Sequence, residues 1–363
     1  MAANYAVAPG EYLREWIEES GSGISQQALA DRMGVSRKLV NGILCGRDPI
    51  TEETAIKLER VTSIPRDAWS RFEGKYREDL ARIRDEEELA SHIDEVDTKL
   101  GSYLRKIGAT SATRRSPGRM VADLLGFLGF GSYEAYADAR DSLRTCVATL
   151  RESNRKVDAA ALMVWKAAGE RTDRMLTARA LAYDETALRA LIPQLRARAA
   201  LSDDSMISDI QKMLEEVGVV YQFVSAPDGF PLHGITWWTD GGIPVIQQTG
   251  RRKKDGYLIW TLFHEIGHIL NDGKHVIRVS SDDEGKSRNP DERAANNFAK
   301  ETLFGPGGLG SFYGLRSSES IRSAAEEAGI CPGVAVVEMH RKRMLDYKYG
   351  NDLLFDIEIP LES

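Results

Sequence analysis

Residues 261–274 read TLFHEIGHILNDGK and hold His264-Glu265-Ile266-Gly267-His268, an H-E-x-x-H run inside an apolar stretch. Leu262, Phe263, Ile266, Ile269 and Leu270 fill the remaining positions and predict a helix from about Leu258 to Leu270. Two histidines four apart lie on one face of a helix, one turn apart, so both imidazoles reach a single metal ion. Neutral imidazole suits zinc, and a catalytic zinc takes three protein ligands and keeps a position for water. Glu265, next to the first histidine, is placed to act on that water as a general base. The plain alternative is a pair of histidines with ordinary hydrogen-bond partners. Against it, two histidines and a glutamate are costly on an apolar helix that has no use for them. Gly267 leaves room for a neighbouring segment to approach closely.

The search for a third ligand leads to the next helix, expected from about Asp291 to Leu303, with Ala295, Phe298 and Ala299 as its packing face. Glu292 can swing from its start onto the metal, and Asp291 competes with it. Acidic residues also favour helix starts for reasons of the helix dipole alone. Upstream, VGVVYQFV (217–224) reads as a strand, and GITWWTDGGIPVIQQ (234–248) as a hairpin turning at Asp240-Gly241-Gly242. Arg251 to Lys254 form a basic, solvated loop, and residues 280–290 a polar one. Strands followed by two helices suggest a small α+β domain over 205–363. His233 and the Trp237-Trp238 pair lie in or near the hairpin. An edge strand there can hold a peptide by strand addition, although the tryptophans also read as core. His275, Tyr257 and Tyr313 are candidates for stabilising an oxyanion.

The first 76 residues have a different pattern. Tyr12, Leu13, Trp16 and Ile17 share a helical face. After a Gly-Ser-Gly turn, Ser25 can cap a helix from Gln26 to Met33, and Ser36 another from Arg37 to Leu44. Thr51 caps a fourth, and Pro65 opens a fifth carrying Trp69, Phe72 and Tyr76. Gly34-Val35 between the second and third makes a compact helix-turn-helix. Its second helix would enter a major groove with Ser36, Arg37, Lys38 and Asn41 foremost. Arg37 can donate two bonds to guanine and Asn41 can pair with adenine. Gln26 and Gln27 can hold a phosphate at the start of the preceding helix. The plain alternative is a small bundle used only for protein contacts.

Residues 77–204 read as a helical connector in which no chemistry is visible. Leu89, Ile93, Val96, Leu100, Tyr103 and Ile107 form a heptad-like stripe, which reads as one long helix packing on its own chain or as a dimer seam. SATRRSPG (111–118) reads as a loop, and a break is expected around Pro193. The chain has 363 residues, enough for about two or three domains. Its formal net charge of -7 speaks against a general nucleic-acid coat, so any DNA contact must come from a local patch such as Arg32, Arg37, Lys38 and Arg47. Cys45, Cys146 and Cys331 have neither metal-ribbon nor redox spacing, as expected of free thiols in a reducing compartment. MAANYAVAPGEYLREW lacks the features of a signal peptide, and no stretch of about 18 apolar residues occurs. The expectation is a cytoplasmic protein without membrane contact.

Two resemblances sharpen this reading. PGEYLREWIEESGSGISQQALADRMGVSRKLVNGILCGRDPITEETAIKLER (9–60), with the later IPRDAWSRFEGKY (64–76), resembles the HigA-like branch of the phage-repressor-type helix-turn-helix family. It implies binding to a double-stranded DNA operator, as a homodimer on paired half-sites. TLFHEIGHILNDGK followed by ERAANNFAKETLFGP (292–306) resembles the ImmA/IrrE metallopeptidase family, whose second helix has the form E-x-x-A-N-x-F-A. That resemblance puts the third metal ligand on Glu292. Ala294 and Phe304-Gly305 depart from the family pattern away from the ligands. The implied fold class is multidomain: an all-α helix-turn-helix domain over 1–76, an α-helical connector over 77–204, and an α+β zincin-like metallopeptidase domain over 205–363. The implied function is a transcription regulator with a zinc-dependent endopeptidase, Zn2+ being favoured over Mn2+, that cleaves a repressor, an antitoxin or itself. A non-proteolytic regulator or antitoxin whose zincin-like domain senses metal, ligand or stress is the alternative. A third reading is a DNA-free protease whose helical domain recruits a protein partner.

Overall fold

A computed structural model of the chain describes residues 5–19, 23–150, 157–178, 182–251, 253–272, 277–280 and 289–361, with the side chains of 146–150 and 279–280 outside that description. His275, Arg252, the first two residues of the Gly-Ser-Gly turn, the Cys146 side chain and most of the 280–290 loop therefore lie outside the described residues.

The chain divides into two compact units, residues 1–94 with 112–122, and residues 95–111 with 123–363. In the first unit, α1 (Pro9–Glu19), α2 (Gln26–Met33), α3 (Arg37–Leu44), α4 (Glu52–Thr62) and α5 (Arg66–Leu89) follow one another. Their starts are where the sequence puts them, because Ser25, Ser36 and Thr51 each accept a backbone N–H of the first turn. Gly34 closes α2 in the left-handed region at φ 63°, and its N–H returns to Ala30 and Asp31. Leu13, Leu29, Met33, Val40, Ile43, Leu58 and Trp69 make the buried core.

The expected boundary at residue 76 falls inside α5. No proline interrupts this helix, and Arg77–Glu73, Lys75–Asp79 and Arg82–Glu86 pair one turn apart along it, so the charged segment stays helical to Leu89. The heptad-like stripe is not one helix. A 3-10 turn over Ala90–Glu95 ends the run, and Asp97 caps a new helix, α6 (Thr98–Lys106), through the Leu100 N–H. Leu89 belongs to the first unit, while Val96, Leu100 and Tyr103 are buried in the second.

The helices expected to form a connector run as α7 (Pro117–Leu128), α8 (Tyr133–Leu150), α9 (Ala159–Gly169), α10 (Asp173–Ala178) and α11 (Glu185–Ala200). α11 continues through Pro193, where a break was expected, because Leu188, Leu191, Leu195 and Ala199 bury one continuous face. Then come α12 (Met206–Glu215), β1 (Val220–Phe223), β2 (Gly234–Trp238), β3 (Pro244–Gln248), α13 (Asp255–Asn271), β4 (Arg278–Ser280), α14 (Pro290–Phe304), α15 (Ser318–Ala328) and α16 (Pro332–Arg341). The sheet order is β1-β3-β2-β4, with β1 parallel to β3 and the other pairs antiparallel. The hairpin turns over the expected Asp-Gly-Gly residues. The second unit is thus a helical array around a small mixed sheet.

Alternation along the strands gives the sheet two different faces. Tyr221, Phe223 and Ile246 join the apolar core that contains α13. Gln222 and Gln247 point the other way, to α9. The Gln222 amide donates to the Gly169 carbonyl at 3.1 Å, and Gln247 to the Trp165 carbonyl at 2.8 Å. The Trp165 indole donates to the Val224 carbonyl at 3.0 Å. α9 therefore covers one face of the sheet and belongs to the unit rather than leading into it. No described helix is long and apolar enough to cross a membrane.

Leu29 is fully buried at the centre of the first unit. Leu29→Ala is expected to destabilise that unit by about 2–5 kcal/mol, measured by urea denaturation.

Candidate metal centre and nucleic-acid interface

α13 carries His264, Glu265 and His268, and all three are buried among the apolar residues of the helix. The Nε2 atoms of the two histidines face each other at 3.0 Å. Glu292, in the first turn of α14, puts Oε1 3.3 Å from His268 Nε2 and Oε2 3.5 Å from His264 Nε2. Donors around a tetrahedral zinc at its usual bond lengths stand about 3.3 Å apart. The three groups present that separation, and they form the cluster among the described residues that could hold a metal ion. Asp291, the competitor for the third position, faces Arg278 instead.

Gly267 makes this convergence possible. A Cβ there would lie 2.9 Å from the Ala295 Cα and 3.1 Å from the Ala295 carbonyl oxygen. The backbones of α13 and α14 cross at that point, and Ala295 is one turn beyond Glu292. At the other end of α13, a Cβ on Gly256 would come 2.2 Å from the Gly333 carbonyl oxygen of α16. Glycine at both crossings lets α13 sit deep between its neighbours.

The electrostatics follow from burial and proximity. Burial disfavours the His268 imidazolium, but Asp272 and Glu292 accept from it and hold its pKa above the ordinary imidazole value. Burial likewise works against the Glu292 carboxylate, and the two imidazoles hold it below the usual carboxylate range. Asp272 Oδ2 lies 2.8 Å from His268 Nδ1, which orients the ring so that Nε2 faces the cluster. Thr236 on β2 donates its hydroxyl to Glu265 Oε2 at 2.5 Å. Gly234, on the same face of β2, leaves the space beside Glu265 Oε1 open. Burial, with Glu265's charge adding, pushes the nearby Tyr221 hydroxyl well above its ordinary pKa.

Sequence reasoning missed Thr236, Asp272 and Arg278. Asp272 had a signal, since it stands four residues after His268 and so one turn along. The other two act across the sheet and had none. Trp237 is buried and Trp238 packs edge-on against Tyr183 at 5.2 Å, which agrees with the core reading. The expected free edge at β2 is not there: β3 flanks it on one side, and β4 pairs with Gly234, Ile235 and Thr236 on the other. His233 is half-buried, and its carbonyl accepts the Thr249 N–H. Tyr257 is half-buried, whereas Tyr313 is 84% exposed.

In the first unit, Ser36, Arg37 and Lys38 are exposed at the start of α3, and Asn41 is half-buried one turn later. The Ser36 oxygen is engaged as the cap, accepting from Leu39 N–H at 3.2 Å. Its hydroxyl proton stays available to a phosphate oxygen. Gln26 is half-buried, and exposed Gln27 donates to Asp31 at 2.9 Å. A helix-turn-helix that binds DNA uses this end of its second helix.

Residues 13–69 match a helix-turn-helix family model. The match covers α2, α3 and α4 together with parts of α1 and α5, and it supports a DNA-binding transcription regulator. Among curated proteins nothing matches the chain.

A larger side chain at Gly267 has to push α14 outward and take Glu292 with it. Gly267→Val is expected to destabilise the second unit by about 1–3 kcal/mol, seen in thermal melting.

Proposed function

We propose that the chain is a DNA-binding transcription regulator whose second unit is a zincin-like, zinc-dependent endopeptidase of the ImmA/IrrE kind. Its substrate is a regulatory protein: a repressor, an antitoxin or the chain itself. The observation that carries this reading is the spacing of 3.0–3.5 Å among His264, His268 and Glu292, with buried Glu265 beside them. A purely structural metal has no use for that glutamate.

The donor set fits zinc: two imidazoles and one carboxylate leave a position for water. Bound there, zinc supplies Lewis-acid polarisation of a peptide carbonyl and a water of lowered pKa. His264, His268 and Glu292 would hold the ion. Glu265 takes a proton from the attacking water and returns it to the departing amine, so its charge is restored at the end of the cycle. The Thr236 hydroxyl holds the Glu265 carboxylate in its reactive orientation. The apolar residues of α13 keep bulk water from the buried groups, where electrostatic effects are strongest.

In the first unit, Arg37 and Asn41 read bases while Gln26, Gln27, Ser36 and Lys38 hold phosphates, in a homodimer on paired half-sites. Joining the two activities in one chain makes sense when cleavage changes transcription.

Glu265→Gln is expected to keep its zinc, by elemental analysis, while cleavage of a protein partner falls by about 10²-fold or more. Unchanged cleavage would refute the mechanism. Cleavage absent from the parent protein too, with promoter repression intact, would favour the sensing regulator. For DNA, Lys38→Ala should weaken duplex binding evenly across sequences and lower the salt slope by about 1. Arg37→Ala should cost about 1–3 kcal/mol and relax the preference at one base pair. Salt titrations of fluorescence anisotropy read both.

A further inference from the structure

One side chain of β4 reaches the supports on both sides of the metal cluster. Arg278 Nε donates to Asp272 Oδ2 at 2.6 Å, and its Nη2 donates to Asp291 Oδ2 at 2.7 Å. Asp272 is the residue that orients His268, and Asp291 immediately precedes Glu292. The main chain of Arg278 pairs with Thr236, whose hydroxyl holds Glu265. Opposed residues of an antiparallel pair put their side chains on the same face of the sheet, so Arg278 and Thr236 both project to the α13 side. The Arg278 side chain is only 8% exposed and that of Asp272 5%. A guanidinium buried to this degree depends on its carboxylates. Its planar fork also fixes two directions at once, which an ammonium does not.

We propose that Arg278 is the positioning residue of the metal centre. It ties Asp272 at the end of α13 to Asp291 at the start of α14, and so sets the angle between the two ligand-bearing helices. Because its backbone lies in the sheet beside Thr236, the same residue makes the ligand geometry depend on the seating of β4 against β2. Seating of β4 and tight metal retention are then one event. The proposal rests on the reading of His264, His268 and Glu292 as metal ligands.

The test uses the full-length protein and the metal alone. Zinc affinity is measured by competition with a chromophoric chelator, and ligand geometry by the visible bands of the Co2+-loaded protein. The parent protein is compared with Arg278→Met, Arg278→Lys and Asp291→Asn. Arg278→Met is expected to lose ~10–100-fold in zinc affinity and to shift the cobalt bands. Arg278→Lys recovers only part of the loss, because one ammonium cannot serve both carboxylates in plane. Asp291→Asn alters a half-exposed side chain and leaves the core intact, so it keeps the test decisive if the Arg278 variants fail to fold. It is expected to shift the same bands with a smaller loss of affinity. Parent-like affinity and bands in Asp291→Asn and in every Arg278 variant that folds would overturn the proposal. A parent protein that takes up no metal would overturn the reading of the site itself, and that arm alone distinguishes the two failures.

Discussion

The second unit turns on the place where α13 and α14 cross. Gly267 has no side chain, so the backbone of α14 at Ala295 lies where a methyl group would otherwise be. That closeness lets the Glu292 carboxylate reach two imidazoles on a neighbouring helix. It also creates a cost. His264, Glu265, His268 and Glu292 are all buried, and ionisable groups in such surroundings are tolerated only when they are paired. The pairing is mutual and extends outward: Glu292 to both histidines, Asp272 to His268, Thr236 to Glu265, and Arg278 to Asp272. The apolar faces of α13, β1 and β3 fix the depth at which the charges meet.

Much of this could be read in the sequence, for a specific reason. Metal-ligand chemistry needs particular residue types at particular helical spacings, so His264 and His268 announce themselves, and the Gly267 approach follows from its position between them. Helix starts were equally legible, because Ser25, Ser36 and Thr51 satisfy first-turn amides by a purely local bond. Glu292 needed the family pattern as well, since an acid at a helix start has a local explanation of its own.

What stayed hidden was non-local. Arg278 and Thr236 take their roles from strand register, which neither residue type encodes. The division of the chain was hidden too, because the charged segment after residue 76 reads the same whether its helix stops there or runs on to Leu89. Pro193 misled in the opposite direction: a strong local breaker was overridden by a long buried face. Gln222 and Gln247 look like solvent-facing strand residues, yet they meet backbone carbonyls of α9 inside the unit.

Those two glutamines bear on where the chain can be cut. A fragment starting at residue 205 would keep His264, His268, Glu292 and the whole sheet. It would also lack the carbonyls of Gly169 and Trp165, so the Gln222 and Gln247 amides would have to turn to water on an uncovered sheet face. The bare sheet face would expose Trp237 as well, now covered in part by Lys166. The unit that holds the His264, His268 and Glu292 cluster therefore includes helices that carry none of the cluster's residues, and any dissection has to begin upstream of α9.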